Sequence, residues 1–97
     1  MVRHVVLFTW SEAADEQRRA KTVQALRRLR QDVGGMTSLL VENDADLSDG
    51  TADTVLIADF PDIEAYYRYA QDPVHLAVIA EHVRPFLKAR TALQYVI

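Results

Sequence analysis

Residues 4–8 read His4-Val5-Val6-Leu7-Phe8, with no polar side chain after the histidine. β-Branched and aromatic residues at consecutive positions predict a strand, and this one is apolar on both of its faces. Such a strand needs cover on two sides. In a βα-type domain helices cover one face, so something else has to cover the other. The same two-sided pattern returns in Val55-Leu56-Ile57, and it governs how the rest of the chain is read.

Working outward, Ser11 is a candidate N-cap for a helix over residues 12–33, with Glu12, Asp15 and Glu16 supplying negative charge to its first turn. Val23, Leu26, Leu29 and Val33 recur at three- and four-residue steps, the stripe of an amphipathic helix, and Gly34-Gly35 stops it. Asp15 and Arg19 are spaced as an i,i+4 ion pair. Thr37 to Asn43 reads as a second strand, Asp44 to Ala52 as a polar loop turning at Gly50, and Asp53 to Phe60 as a third strand. Asp62 caps a second helix that carries Ile63, Ala65, Tyr66 and Tyr69 inward. Asp72-Pro73 interrupts it and restarts a third helical piece, with proline at the first helical position, where its missing N–H costs nothing. Pro85 ends or kinks that piece. Lys88 to Ile97 closes the chain as a strand, with Leu93, Tyr95 and Ile97 on one face and Ala92 and Val96 on the other.

The order β-α-β-β-α-β is the split βαβ plan: a ferredoxin-like α+β fold with a four-stranded antiparallel sheet and helices on one face. The opposite face stays apolar, and monomers rarely expose so large a patch. A second copy packed sheet to sheet would cover it through a self-complementary interface. A homodimer of single domains spanning 1–97, closing a dimeric α/β barrel, is therefore expected. Size points the same way, because a chain of 97 residues buries only about 60–65% of the surface it exposes when unfolded.

Composition narrows the function classes. The chain is 49% hydrophobic and 26% charged, which suits a globular domain and not a disordered one. It has no cysteine, so disulfides and thiolate metal sites are excluded. The apolar stretch ending at Trp10 is too short for a membrane span and lacks a signal-peptide cleavage site, so a cytoplasmic location with no membrane partner is expected. The net charge of −3 argues against nucleic acid as partner. Arg18, Arg19, Lys21, Arg27, Arg28 and Arg30 do crowd one segment. No aromatic residue interleaves them, and the run reads as a solvated helix face.

No metal is expected either. His75 and His82 are seven residues apart, roughly 10 Å along a helix, too far to share one ion. The loop Asp44-Ala45-Asp46-Leu47-Ser48-Asp49-Gly50 fails the calcium-loop template, because its glycine comes one place late and no Glu stands at the twelfth position. A phosphate loop, a Gly-x-Ser-x-Gly elbow and a dinucleotide fingerprint are absent, so no cofactor is expected.

Three segments carry a family resemblance: His4-Val5-Val6-Leu7-Phe8, Tyr69-Ala70-Gln71-Asp72-Pro73-Val74-His75, and Val83-Arg84-Pro85-Phe86-Leu87. Together they resemble the stress-responsive dimeric α/β barrel (Dabb) family over nearly the whole chain. The resemblance implies the fold and dimer already argued. It also implies a range of roles, from a plant stress protein without a catalytic task to a cyclase that closes a linear polyketide thioester by an aldol step, without cofactor. The catalytic Tyr and His of that cyclase resemble Tyr69 and His75, and a supporting histidine resembles His4. A further pocket histidine of the cyclase falls at Thr54, so the site is not fully reproduced.

The residues have readings of their own. His75 would be the third helical residue after the Asp72 cap, near the positive end of the helix dipole, which disfavours imidazolium and leaves a neutral ring able to accept a proton. Tyr69, just before the break, could orient a carbonyl in the same pocket. Structural roles compete with these: His75 can complete a capping arrangement, and Tyr69 and His4 can be satisfied core residues. Trp10, Tyr66, Tyr67 and Phe86 read as core or pocket lining. Three functions stay open: a cofactor-independent enzyme on a small polyketide-like or carbonyl compound, a non-catalytic stress-response dimer holding a small hydrophobic ligand, and a haem- or quinone-type monooxygenase.

Overall fold

The computed structural model describes residues 1–97. Its elements are β1 (Val2–Trp10), α1 (Glu16–Asp32), β2 (Ser38–Asn43), β3 (Thr54–Phe60), α2 (Ile63–Gln71), α3 (Pro73–Val78) and β4 (Leu87–Val96). One π-turn, Ile79–Val83, and one 3-10 turn, Arg84–Phe86, link α3 to β4. The strands form a ferredoxin-like antiparallel sheet in the order β2-β3-β1-β4.

Strand alternation sorts the side chains into rows that run across the sheet. On the helix side Leu39, Ala58, His4 and Gln94 share one row; Val41, Leu56, Val6 and Ala92 share the next; Asn43, Thr54, Phe8 and Arg90 share the third. Over β1, β2 and β3 these rows meet Val23, Leu26 and Leu29 of α1 and Ala65 and Tyr69 of α2, and most of their side chains are buried there. Each large aliphatic or aromatic side chain buried there contributes about 1.5–3 kcal/mol. The edge strand β4 is different: every residue after Leu87 is exposed.

The open side repeats the alternation out of phase. Leu40, Ile57, Val5 and Leu93 make an apolar row, and Leu93 is 63% exposed. Next to it lies a polar row of Ser38, Asp59, Arg3 and Tyr95. There Arg3 grips Asp59 through Nε and Nη2 at 2.8 and 2.9 Å, and the Ser38 hydroxyl donates to the same carboxylate at 3.2 Å. The Arg3 guanidinium holds the Asp59 carboxyl below the usual carboxylate range.

Three expectations change. The first helix starts at Glu16, and Asp15, not Ser11, is its cap, accepting from Arg18 N at 2.8 Å. Ser11 is otherwise engaged: its N–H donates to Phe86 O at 2.8 Å, and its carbonyl accepts from Ala14 N at 3.0 Å. Those bonds tie the end of β1 to the turn before β4. Arg19 accordingly donates from Nε to Ala14 O at 2.9 Å and approaches Asp53 at 4.0 Å, in place of an Asp15 ion pair. Finally, Ile63 and Tyr67 are more than half exposed. Four residues apart, they share the outer face of α2, opposite Ala65.

Candidate functional site

Asp72 builds the first part of the site. Its Oδ1 accepts from Val74 N at 2.8 Å and His75 N at 3.4 Å and starts α3, while its backbone N–H closes α2. The resulting corner lays the His75 ring beside the Tyr69 ring, with centroids 4.1 Å apart and planes 33° apart. His4 projects from β1 on the helix side, its ring 5.2 Å from that of Tyr66 and 6.4 Å from that of Tyr69. All four rings line one cavity of about 350 Å³, closed elsewhere mostly by apolar residues such as Val6, Phe8 and Leu56. The three residues singled out from the sequence therefore do converge.

The capping role open to His75 is not realised. The N–H of Asp72 donates to Tyr69 O at 3.1 Å, and His75 Nδ1 is buried without a hydrogen-bond partner. Burial lowers the His75 pKa; Arg90 adds to this, while the Ala70 and Tyr69 carbonyls and Asp72 oppose it. Burial is thus the main cause, since Asp72 already occupies the first N–H groups of a helix only six residues long. His4 is driven further, to about 4, by burial first and then by Arg90 and His75. Its Nδ1 lies 2.8 Å from the Gln94 amide directly across the β1–β4 ladder, which fixes the ring. Burial and the neighbouring Tyr66 push the Tyr69 phenol above its ordinary value, with Arg90 opposing. At pH 7 both imidazoles are thus neutral and the Tyr69 phenol keeps its proton, in a cavity lined mostly by apolar residues.

Chemically, a neutral imidazole can take a proton and a buried phenol can donate a hydrogen bond to an oxygen that gains charge. Neither Thr54 nor His82 joins them. Thr54 accepts from the Trp10 indole Nε1–H at 2.9 Å and donates to Asn43 Oδ1 at 2.9 Å, a packing network outside the cavity. His82 sits on the π-turn, where its carbonyl accepts from the Thr22 hydroxyl at 2.8 Å. Gln94, Arg84 and Arg90 were not foreseen. The signal for two of them was parity: Arg90 and Gln94 occupy the helix-side positions of β4, where an isolated amphipathic strand would carry apolar residues.

Comparison with known proteins agrees with the fold. The family described as the stress responsive A/B barrel domain (Dabb) matches residues 2–97. A dimeric ferredoxin-like protein of unknown function from Thermobifida fusca superposes with a TM-score of 0.90 at 25% identity, covering 99% of this chain and 90% of that one. A Dabb family protein from Mesorhizobium loti gives 0.84 at 22% identity, covering 99% and 95%. A hydroxynitrile lyase from Passiflora edulis gives 0.84 at 18% identity, covering 99% and 92%. No curated protein matches the sequence. With the family pattern extending from the first strand through the last, the chain belongs to the stress responsive A/B barrel domain family.

Proposed function

We propose that the chain is a cofactor-independent enzyme acting on a small carbonyl compound held in the cavity. The observation that carries this reading is the His75 ring, its pKa lowered by burial, 4.1 Å from the Tyr69 ring within one mostly apolar cavity. His75 removes a proton from the carbon next to the carbonyl. The C–H electron pair becomes the new C=C bond, the carbonyl π pair moves onto oxygen, and the Tyr69 hydroxyl donates to that oxygen. The enolate carbon then attacks a second carbonyl, as in an aldol closure, whose π pair moves onto its oxygen and takes the proton back from His75, or the enolate carbon is itself reprotonated by His75 to complete an isomerisation. His4, held by Gln94, positions the polar end of the cavity. A lyase built on the same fold supports an enzymatic use of it.

In this reading the working unit is a homodimer joined through the open sheet face. Support comes from the exposed row of Leu40 and Leu93 with half-buried Val5 and Ile57, which water would otherwise cover, and from solved structures of this fold described as dimeric.

Deuterium exchange into the methyl group of acetophenone, followed by proton NMR in D2O, tests the chemistry without knowledge of the natural substrate. The protein should accelerate exchange over buffer. His75→Ala should cut the acceleration by about 10²–10⁴-fold, and Tyr69→Phe by about 10²–10³-fold. Exchange no faster than buffer, or unchanged in His75→Ala, would refute the proton-abstraction reading.

A further inference from the structure

The cavity carries two cations and no anion. Arg84 and Arg90 line it, and no aspartate or glutamate does. This is unexpected in a chain with 14 acidic residues and a net charge of −3. Arg3, Arg19, Arg27, Arg28 and Arg68 each have a carboxylate within 4.0 Å. Arg84 and Arg90 have none; Arg18 and Arg30, on α1, also have none, but they do not line the cavity.

Both are placed by features that packing alone does not require. Arg90 occupies a helix-side position of β4, paired across the ladder with Phe8, which is 2% exposed. A guanidinium at that parity faces the layer where the neighbouring strands put Phe8, Thr54 and Asn43. Arg84 opens the 3-10 turn that follows the π-turn Ile79–Val83, an interruption that recurs at functional sites. The charge of Arg90 reaches the polar centre of the cavity, because it bears on His4, His75 and Tyr69 together.

We infer that the ligand of this cavity is an acid: a small, largely apolar molecule whose carboxylate is held at the cavity mouth by Arg90 and Arg84. A planar guanidinium matches a carboxylate through two parallel N–H donors, and the apolar wall takes the hydrocarbon part. The volume of about 350 Å³ sits at the lower end for small-molecule sites, which limits the ligand to a ring or short chain beside the acid group. Carboxylate is favoured over phosphate because no glycine, and so no backbone nest for a phosphate, lines the cavity. For the reaction above, the substrate becomes a keto acid whose anionic end is anchored while His75 and Tyr69 act on the carbonyl end.

This inference rests on the cavity being the ligand site, and not on turnover. Titrating the protein with phenylacetate and with phenylacetamide at one pH and ionic strength tests it, read by calorimetry and by the arginine Nε–H signals in NMR. Because both guanidinium groups touch water, the acid should bind about tenfold tighter than the amide, the low end for a charged hydrogen bond. The Arg84 and Arg90 signals should shift and those of Arg28 and Arg68 should not. Arg90→Gln should remove most of the preference and leave amide affinity within about twofold. Equal affinities, no binding of either compound, a preference retained in the Arg84→Gln/Arg90→Gln double variant, or shifts spread evenly over surface arginines would each overturn it. Selective acid binding without acetophenone exchange would refute the catalytic reading alone; exchange without acid preference would refute this one alone.

Discussion

Acid should weaken this fold through His4, and the size of the effect can be worked out. In the unfolded chain the imidazole titrates near its ordinary 6.5, whereas in the folded cavity burial drives it to about 4. The folded pKa is depressed, so this contribution to stability is complete above pH 6.5 and is lost as pH falls toward 4. Over that window the unfolded chain binds a proton that the folded chain refuses. The cost reaches about 2 kcal/mol at pH 5 and about 3 kcal/mol once both states are protonated. For a domain of this size that is a substantial part of the total. The assay is urea unfolding at pH 7.5, 6 and 5, at fixed protein concentration so that self-association does not move with pH. His75 adds loss in the same direction. The Asp59 carboxyl, held below its ordinary 3.8, contributes only under the window. Comparing wild type with His4→Gln, which keeps an amide for Gln94 but cannot titrate, isolates the His4 part. The variant should lose about 2 kcal/mol less between pH 7.5 and 5. Parallel pH profiles for the two proteins would refute the burial argument.

Two other perturbations probe different parts of the molecule. Leu93→Asp puts a charge at the β4 end of the open apolar row, on its most exposed member, and should turn a dimer into a monomer in sedimentation velocity; a wild-type protein that is itself monomeric at tens of micromolar would remove the case for pairing through that face. Thr54→Val strands the Trp10 indole N–H and should cost about 1–3 kcal/mol in urea unfolding, while acid and amide binding in the cavity stay as in wild type.

Much of the architecture was legible because it rests on short-range pattern. Two-sided apolar strands, the Val23-Leu26-Leu29 stripe and the Asp72-Pro73 corner each follow from spacing, and each is where the spacing puts it. The errors have a common origin in distant contacts. Ser11 is a competent cap by type, yet its backbone is held by Phe86, seventy-five positions on, and the helix begins only at Glu16 with Asp15 as cap. Ile63 looked inward by hydrophobicity alone, but the direction of α2 is set by Ala65 and Tyr69 against β3. The π-turn has no sequence signature beyond the Pro85 that follows it. Of the site, the residues with a familiar pattern could be named. Gln94 and Arg90 could not, because their importance depends on which strand they pair with.

That pairing has a consequence for how the site comes into being. His4 meets Gln94 across ninety positions of sequence, and Phe8 meets Arg90 across eighty-two. Nothing local prepares either meeting, so loop-closure entropy must be overcome before the ladder gives anything back. A slip of one residue in β4 would exchange its faces, sending Gln94 and Arg90 outward and turning Leu93 toward His4. The backbone resists this at the far end, where Met1 N donates to Ile97 O at 3.2 Å and Ile97 N donates to Met1 O at 2.9 Å. During synthesis the residues of the helical corner, Tyr69 and His75 among them, emerge before β4 does. The cavity gains its wall of cations only when the first and last strands zip together, so ligand binding would report that folding has finished.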